Sequence, residues 1–298
     1  MNRYVEAPAR LGECALPDGR LLGWAEWPVD GVPVLLCPGA ATSRWLGFGA
    51  GVVGTLGVRL ISVDRPGPGA STPALGRTFS DFAGDMRRFC SLRGLGRPRM
   101  VGNSQGAPFA LACATEGVVS ALAVVSGADE VARPESAGAL DAGLRGLVER
   151  TVDDPRTPRS SSPGSRRRRC GTWSCPEARS ATVRCTGTLA SRPATAGRWT
   201  RRSPGGGAGY ARDTVLAMGR WPFDLGAITV PVELWYGERD TGHSPDNGAL
   251  LASRVPGARR RVVPGAGGAL LWTHAEPILT SLLSLSAVTT GPSGTRTE

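Results

Sequence analysis

The residues best suited to chemistry in this sequence are 100–107, Met-Val-Gly-Asn-Ser-Gln-Gly-Ala. Ser104 stands in a Gly-x-Ser-x-Gly pattern, after a short apolar strand and before an apolar, helix-prone run that starts at Ala107. A sharp strand-to-helix turn of this kind strains the serine backbone and brings neighbouring chain so close that only glycine fits at 102 and 106. The turn exposes the hydroxyl near a helix N-terminus, which favours developing negative charge. The pattern therefore predicts Ser104 as a nucleophile.

The segments around this turn alternate between strand-like and helix-like patterns. A hairpin is predicted over residues 10–29, and continuous apolar runs predict buried strands. Helical spacing covers residues 79–92, with Ser80 as a candidate N-cap. Short strand–helix units of this kind imply an α/β fold with a mostly parallel central sheet and helices on both faces. The predicted buried strands are residues 32–37, 58–63 and 121–126, and a short apolar strand is predicted over residues 99–101.

Four segments, in order and spacing, resemble serine-dependent α/β-hydrolases. They are Pro38-Gly39-Ala40, residues 64–71, the Ser104 turn, and residues 231–240. The resemblance covers roughly residues 10–130 and 210–285. It implies the α/β-hydrolase fold with a lid inserted after the sixth strand. The expected division is a first core part at 1–130, a lid region at 131–220 and a second core part at 221–298.

The resemblance also implies the groups that would assist Ser104. Asp240, at the end of a strand, takes the position of the catalytic acid, with Asp129 as an alternative acid after the preceding strand. The backbone amides of Gln105 and Ala40 are the expected oxyanion donors, and Ala41 is equally defensible in place of Ala40. No metal site is expected, and no cofactor is needed for this chemistry.

The catalytic base is harder to place, because the chain has only two histidines. The family's histidine normally follows the last strand, where Gly268 stands here. His274 comes six residues later, and Thr273 with Glu276 would form a capping box that puts it in the first turn of the last helix. We therefore expect His274 as the base. His243, three residues after Asp240, is the alternative base or a residue lining the pocket.

Residues 155–207 differ from the rest of the chain. They contain 12 arginines and one acid, Glu177, and show neither helical nor strand periodicity. One interpretation is a disordered basic insertion, because such a composition buries too little apolar surface to offset the entropy of ordering it. The other is an out-of-frame translation of a GC-rich gene, since the chain contains no lysine and a sensible helix pattern resumes at Tyr210.

Composition limits the partners. The net charge is +10, but residues 155–207 carry +11, which leaves the remainder at −1. We therefore expect a small-molecule substrate rather than nucleic acid, although the basic segment could alternatively be a nucleic-acid-binding arm. No apolar run reaches the roughly 18 residues of a membrane span, and the first 20 residues do not form a signal peptide. The expected location is cytoplasmic, and the oligomeric state stays open.

Together these features predict a serine esterase of the α/β-hydrolase fold. It would hydrolyse an ester-like bond, in a carboxylic ester, thioester or lactone, through an acyl-enzyme. The alternative is a catalytically inactive relative with a damaged lid, which Gly268 and the composition of residues 155–207 both favour.

Overall fold

A computed structural model describes residues 6–27, 30–40, 42–140, 145–146, 148–149, 206–240 and 242–285. Eight strands form a single sheet in the order β1-β2-β4-β3-β5-β6-β7-β8. β1 and β2 form an antiparallel hairpin at one edge, β2 pairs antiparallel with β4, and the other neighbours are parallel. The strands are β1 (Arg10–Ala15), β2 (Leu21–Glu26), β3 (Val32–Cys37), β4 (Val58–Val63), β5 (Arg99–Ser104), β6 (Ala121–Gly127), β7 (Val232–Gly237) and β8 (Arg259–Val263).

Helices cover both faces of this sheet. The helices are α1 (Val52–Thr55), α2 (Phe79–Leu92), α3 (Ala107–Thr115), α4 (Gly206–Met218), α5 (Ala249–Ser253), α6 (Leu270–Thr273) and α7 (Ala275–Ser284). Short 3-10 turns cover Pro134–Ala139 and Leu225–Ala227. Apolar clusters lie on both faces of the sheet, one packed under α2, α3 and α5 and another under α1, α6 and α7.

The central strands explain why the sequence reads as uninterrupted apolar runs. Every residue of β6 is buried, and so are Val34, Leu35 and Leu36 of β3, because helices cover both faces of the sheet. The expected α/β architecture, with a mostly parallel sheet and helices on both sides, is confirmed. The carboxyl ends of β5, β6 and β7 lie next to one another, so the loops that follow these strands meet at one edge.

Local capping departs from the sequence prediction. α2 begins after Thr78 rather than Ser80, and Thr78 forms a capping box with Asp81. The capping box predicted for Thr273 with Glu276 is wrong. Thr273 ends α6, and His274 is the N-cap of α7 without a side-chain capping bond.

Most of the predicted lid, including residues 155–207 apart from the first two residues of α4, lies outside the described residues. The division into core and lid therefore stays a prediction. Within the described part of the chain, no helix is long and apolar enough to span a membrane.

Candidate active site

Ser104 lies at the junction of β5 and α3 in a conformation that few non-glycine residues adopt. Its φ is 50°, in the left-handed region. A Cβ on Gly102 would lie 2.7 Å from the Cβ of Ala110, and a Cβ on Gly106 would lie 2.6 Å from the carbonyl oxygen of Pro38. Both glycines are thus required by close packing, as the Gly-x-Ser-x-Gly spacing predicts. The turn leaves Ser104 only partly buried at the edge of the sheet.

A continuous hydrogen-bonded chain runs from Ser104 to a buried carboxylate. The Oγ atom of Ser104 is 3.0 Å from Nε2 of His243. The other ring nitrogen, Nδ1, is 2.9 Å and 3.0 Å from the two carboxylate oxygens of Asp240. A neutral imidazole protonated on Nδ1 would donate to Asp240 and leave Nε2 free to accept a proton from the serine.

The loop that carries Asp240 and His243 is held in place by hydrogen bonds to main chain. Asn247, with φ of 53°, donates from Nδ2 to the carbonyl oxygens of Gly237 and Asp240, at 2.9 and 3.1 Å. The amide of Asp129, after β6, donates to the carbonyl oxygen of His243 at 3.1 Å. These bonds tie the loop to the ends of β6 and β7. Main-chain hydrogen bonds therefore fix where the loop presents the His243 imidazole.

The electrostatics of Asp240 suit a group that orients a base. Burial by itself raises the pKa of its carboxyl, but the hydrogen bond and charge of His243 hold that pKa below its ordinary value of 3.8. Because folding favours the charged form, Asp240 stays ionised at neutral pH. Its contribution to stability is present there and is lost as the pH falls below about 4.

The backbone of the loop after β3 passes directly over the serine. A Cβ on Gly39 would lie 3.1 Å from Cβ of Ser104 and 3.5 Å from its Oγ. The buried guanidinium of Arg65 holds this loop in place. It donates hydrogen bonds to the carbonyl oxygen of Pro38 and, at 3.1 Å, to that of Gly39. Thr42 also donates to the Gly39 carbonyl, at 2.7 Å.

Helix α4 is tied to the same region through two buried contacts. Asp213 accepts from Nε of Arg65 at 2.8 Å and also pairs with Arg77. Thr214 accepts from Nε2 of Gln105 at 3.2 Å. Burial by itself lowers the pKa of Arg65, but the charge and hydrogen bond of Asp213 together with those of Cys37 hold that pKa above its ordinary value. Helix α4, which lies within the predicted lid region, thus contacts both the arginine that holds the loop after β3 and the residue after Ser104.

This arrangement of sheet, serine turn and acid-bearing loop agrees with the comparison by sequence. A sequence model of the alpha/beta hydrolase fold matches residues 32–275. The chain belongs to the α/β-hydrolase fold family. Among curated proteins, none matches it.

Solved α/β-hydrolase structures share the fold over nearly the whole chain at low sequence identity. The enol-lactonase from Burkholderia xenovorans LB400 is 18% identical, with TM-score 0.59, covering 91% of this chain and 98% of that one. Bromoperoxidase from Bacillus anthracis is 18% identical, with TM-score 0.60 and coverages of 92% and 99%. An esterase from Rhodococcus sp. ECU1013 is 17% identical, with TM-score 0.56 and coverages of 93% and 99%. At these identities the likeness concerns the fold alone.

For this α/β-hydrolase chain, the geometry differs from the expectation for His274. The hydrogen bond expected between Ser104 and His274 is made by His243 instead. The Nδ1 atom of His274 is hydrogen bonded to Thr273 Oγ1 at 2.9 Å, in the segment between α6 and α7. A signal for His243 was present in the sequence, since a histidine three residues after a strand-end aspartate can fold back onto it. Spacing alone could not show that the loop turns in this way.

The alternative acid, Asp129, follows β6 as expected, but its carboxylate is bonded to other partners than the His243 ring. Its side chain accepts from the hydroxyl of Ser244 at 2.9 Å and from the amide of Glu130 at 2.7 Å. Burial raises the pKa of its carboxyl. The carboxylate bonded to the His243 ring is that of Asp240, so Asp129 supports the loop through its backbone amide and through Ser244.

Proposed function

We propose that this protein is a serine hydrolase acting on ester-like carbonyl compounds, with Ser104 as nucleophile, His243 as base and Asp240 as the orienting acid. One observation carries the proposal, namely the unbroken Ser104–His243–Asp240 chain of contacts of 2.9–3.0 Å. A serine hydroxyl is a weak nucleophile, and this arrangement of base and acid is the usual way to activate it.

The chemical steps follow from the positions of these atoms. His243 Nε2 takes the hydroxyl proton as Ser104 Oγ forms a bond to the carbonyl carbon, giving a tetrahedral oxyanion. The resulting imidazolium, stabilised by Asp240, returns the proton to the leaving alcohol, thiol or lactone oxygen as the bond to it breaks. Water activated by the same imidazole then attacks the acyl-enzyme and releases the carboxylic acid product. Every proton transfer passes through one ring nitrogen.

Backbone amides of Ala40 and Gln105 are the proposed oxyanion donors. The Gly39 carbonyl is directed to Arg65 and Thr42, so in a trans peptide the N–H of Ala40 is directed the opposite way. Gln105 follows Ser104 at the start of the turn into α3, and its side chain is buried against α4. Donors fixed before the reaction stabilise the oxyanion without reorganising, which is the largest contribution in many hydrolases.

We propose the type of bond that is cleaved and not a particular substrate molecule. An esterase and an enol-lactonase stand among the solved structures of the same fold, which supports an ester, thioester or lactone substrate for this chain. A serine at position 104 disfavours chemistry that needs an aspartate nucleophile at the turn. The reaction proposed requires no cofactor, because the side chains and amides supply the base and the oxyanion donors.

Labelling with a fluorophosphonate probe tests the proposal. The purified wild-type protein is expected to be labelled and to hydrolyse p-nitrophenyl acetate, whereas Ser104→Ala is expected to do neither, because the phosphonylated oxygen is gone. Circular dichroism establishes that both proteins are folded. A folded wild-type protein that is neither labelled nor active would instead identify an inactive member of the family.

Asp240 and Asp129 offer a matched pair for testing the acid. Asp240→Asn is expected to lower the rate of labelling by roughly 10³- to 10⁴-fold, because an asparagine amide does not hold the His243 imidazole in the tautomer that leaves Nε2 free to accept the serine proton. Asp129→Asn is expected to stay within about threefold of wild type, because the main-chain amide still donates to the His243 carbonyl and the asparagine Oδ1 can still accept from Ser244. Equal losses in the two variants would contradict the assignment of Asp240.

A further inference from the structure

Position 268 faces directly into the candidate active site. Gly268 follows β8 in a loop, and a Cβ built on it would lie 3.0 Å from Cε1 and 3.1 Å from Nδ1 of His243. The same Cβ would lie 3.1 Å from Oδ2 of Asp240. A side chain at this position would therefore press on the His243 ring and displace it by a few tenths of an ångström.

The loop cannot readily move aside to make room. The amides of Glu238 and Arg239 donate to the carbonyl oxygens of Val263 and Ala266, at 3.0 and 2.9 Å. A Cβ on Gly237 would lie 2.5 Å from the carbonyl oxygen of Ala266, so the two segments are in close backbone contact. The segment before position 268 is thus bonded to the segment before the catalytic acid, and the separation between the two is set by main chain.

The need for glycine here is spatial rather than conformational. Gly268 is not among the residues with positive φ, so alanine could adopt its backbone angles. Its neighbour Gly267 also has no positive φ, and a Cβ there would meet nothing within 4 Å. Two adjacent glycines with permissive backbones therefore differ in the proximity of the His243 ring and the Asp240 carboxylate to position 268.

Building on the proposed function, we propose that Gly268 is a positioning residue for the catalytic base. Its missing side chain provides the space in which the His243 imidazole reaches both Ser104 and Asp240. In this chain the loop after β7 supplies the base, and the loop after β8 leaves room for it.

The first test compares alanine at the two adjacent glycines. Gly268→Ala is expected to lower the rate of fluorophosphonate labelling at least about tenfold, because displacing a base by a few tenths of an ångström spoils its alignment with the serine. Gly267→Ala is expected to label at the wild-type rate. Thermal unfolding of both variants controls for folding. Equal labelling rates in Gly268→Ala and wild type would overturn the proposal.

A spectroscopic readout separates this proposal from the proposed function. The Nδ1 proton of His243, donated to Asp240, gives an NMR resonance whether or not the protein hydrolyses esters. This resonance is expected to shift or disappear in Gly268→Ala and to remain in Gly267→Ala. An unlabelled wild-type protein would count against the hydrolase function, whereas an unchanged resonance in Gly268→Ala would count against the role of Gly268.

Discussion

His243→Ala is expected to reduce the rate of fluorophosphonate labelling and of p-nitrophenyl acetate hydrolysis by about 10³-fold or more, and His274→Ala is expected to leave both near the wild-type rate. The reason is the position of the two rings. Nε2 of His243 is 3.0 Å from Ser104 Oγ, and Nδ1 of His274 is bonded to Thr273 instead. The rates are measured from labelling time courses and initial velocities.

The two histidines are natural controls for each other, because no other imidazole is present in the sequence. Each variant removes one ring, and His274 lies partly exposed at the start of α7, so its loss is not expected to affect folding. Circular dichroism and thermal unfolding establish this for both. Loss of labelling in folded His274→Ala, with His243→Ala unaffected, would reverse the assignment of the base.

Asp213→Asn is expected to lower the free energy of unfolding by about 3–5 kcal/mol, because it leaves the guanidinium groups of Arg65 and Arg77 buried without a counter-charge. Asp213 itself is fully buried, and both arginines are at most 4% exposed. A neutral amide retains the size of the side chain but not its charge. Urea unfolding, followed by circular dichroism, measures the change.

The same substitution is expected to reduce labelling of the protein that remains folded. Arg65 holds the carbonyl oxygens of Pro38 and Gly39, so a displaced Arg65 loosens the loop proposed to carry an oxyanion donor. Asp224→Asn is the matched control, because Asp224 is an N-cap outside the buried core whose asparagine replacement keeps the capping oxygen. It is expected to change stability by less than about 0.5 kcal/mol. If Asp213→Asn proved as stable as Asp224→Asn, the buried ion pairs of Asp213 with Arg65 and Arg77 would contribute little to stability.

Local sequence signals predicted the fold well. Apolar runs placed β3 and β4 at their observed bounds, and helical spacing did the same for α2. These signals work because a strand buried on both faces, or a helix with one buried face, imposes its period on consecutive residues. The Ser104 turn was readable for a similar reason, since close backbone contacts at 102 and 106 exclude every side chain.

Site residues that depend on one short segment were also placed correctly in space. Ser104 lies at the end of β5, and Asp240 follows β7 and contacts an imidazole. Their catalytic roles stay proposals. The sequence could not reveal the ion pairs between Asp213 and the two arginines, because the partners are 148 and 136 residues apart and no local pattern links them.

The sequence by itself determined the sheet, the strained serine turn and the presence of an aspartate after β7, because each depends on residues that are neighbours in the chain. The choice between His243 and His274 was decided only by the tertiary structure. It depends on how the loop after β7 folds, held by Asn247 and by the amide of Asp129, and on the space left at Gly268. Those contacts join segments from β6, β7 and β8, and such contacts exist only once the sheet has brought the strand ends together.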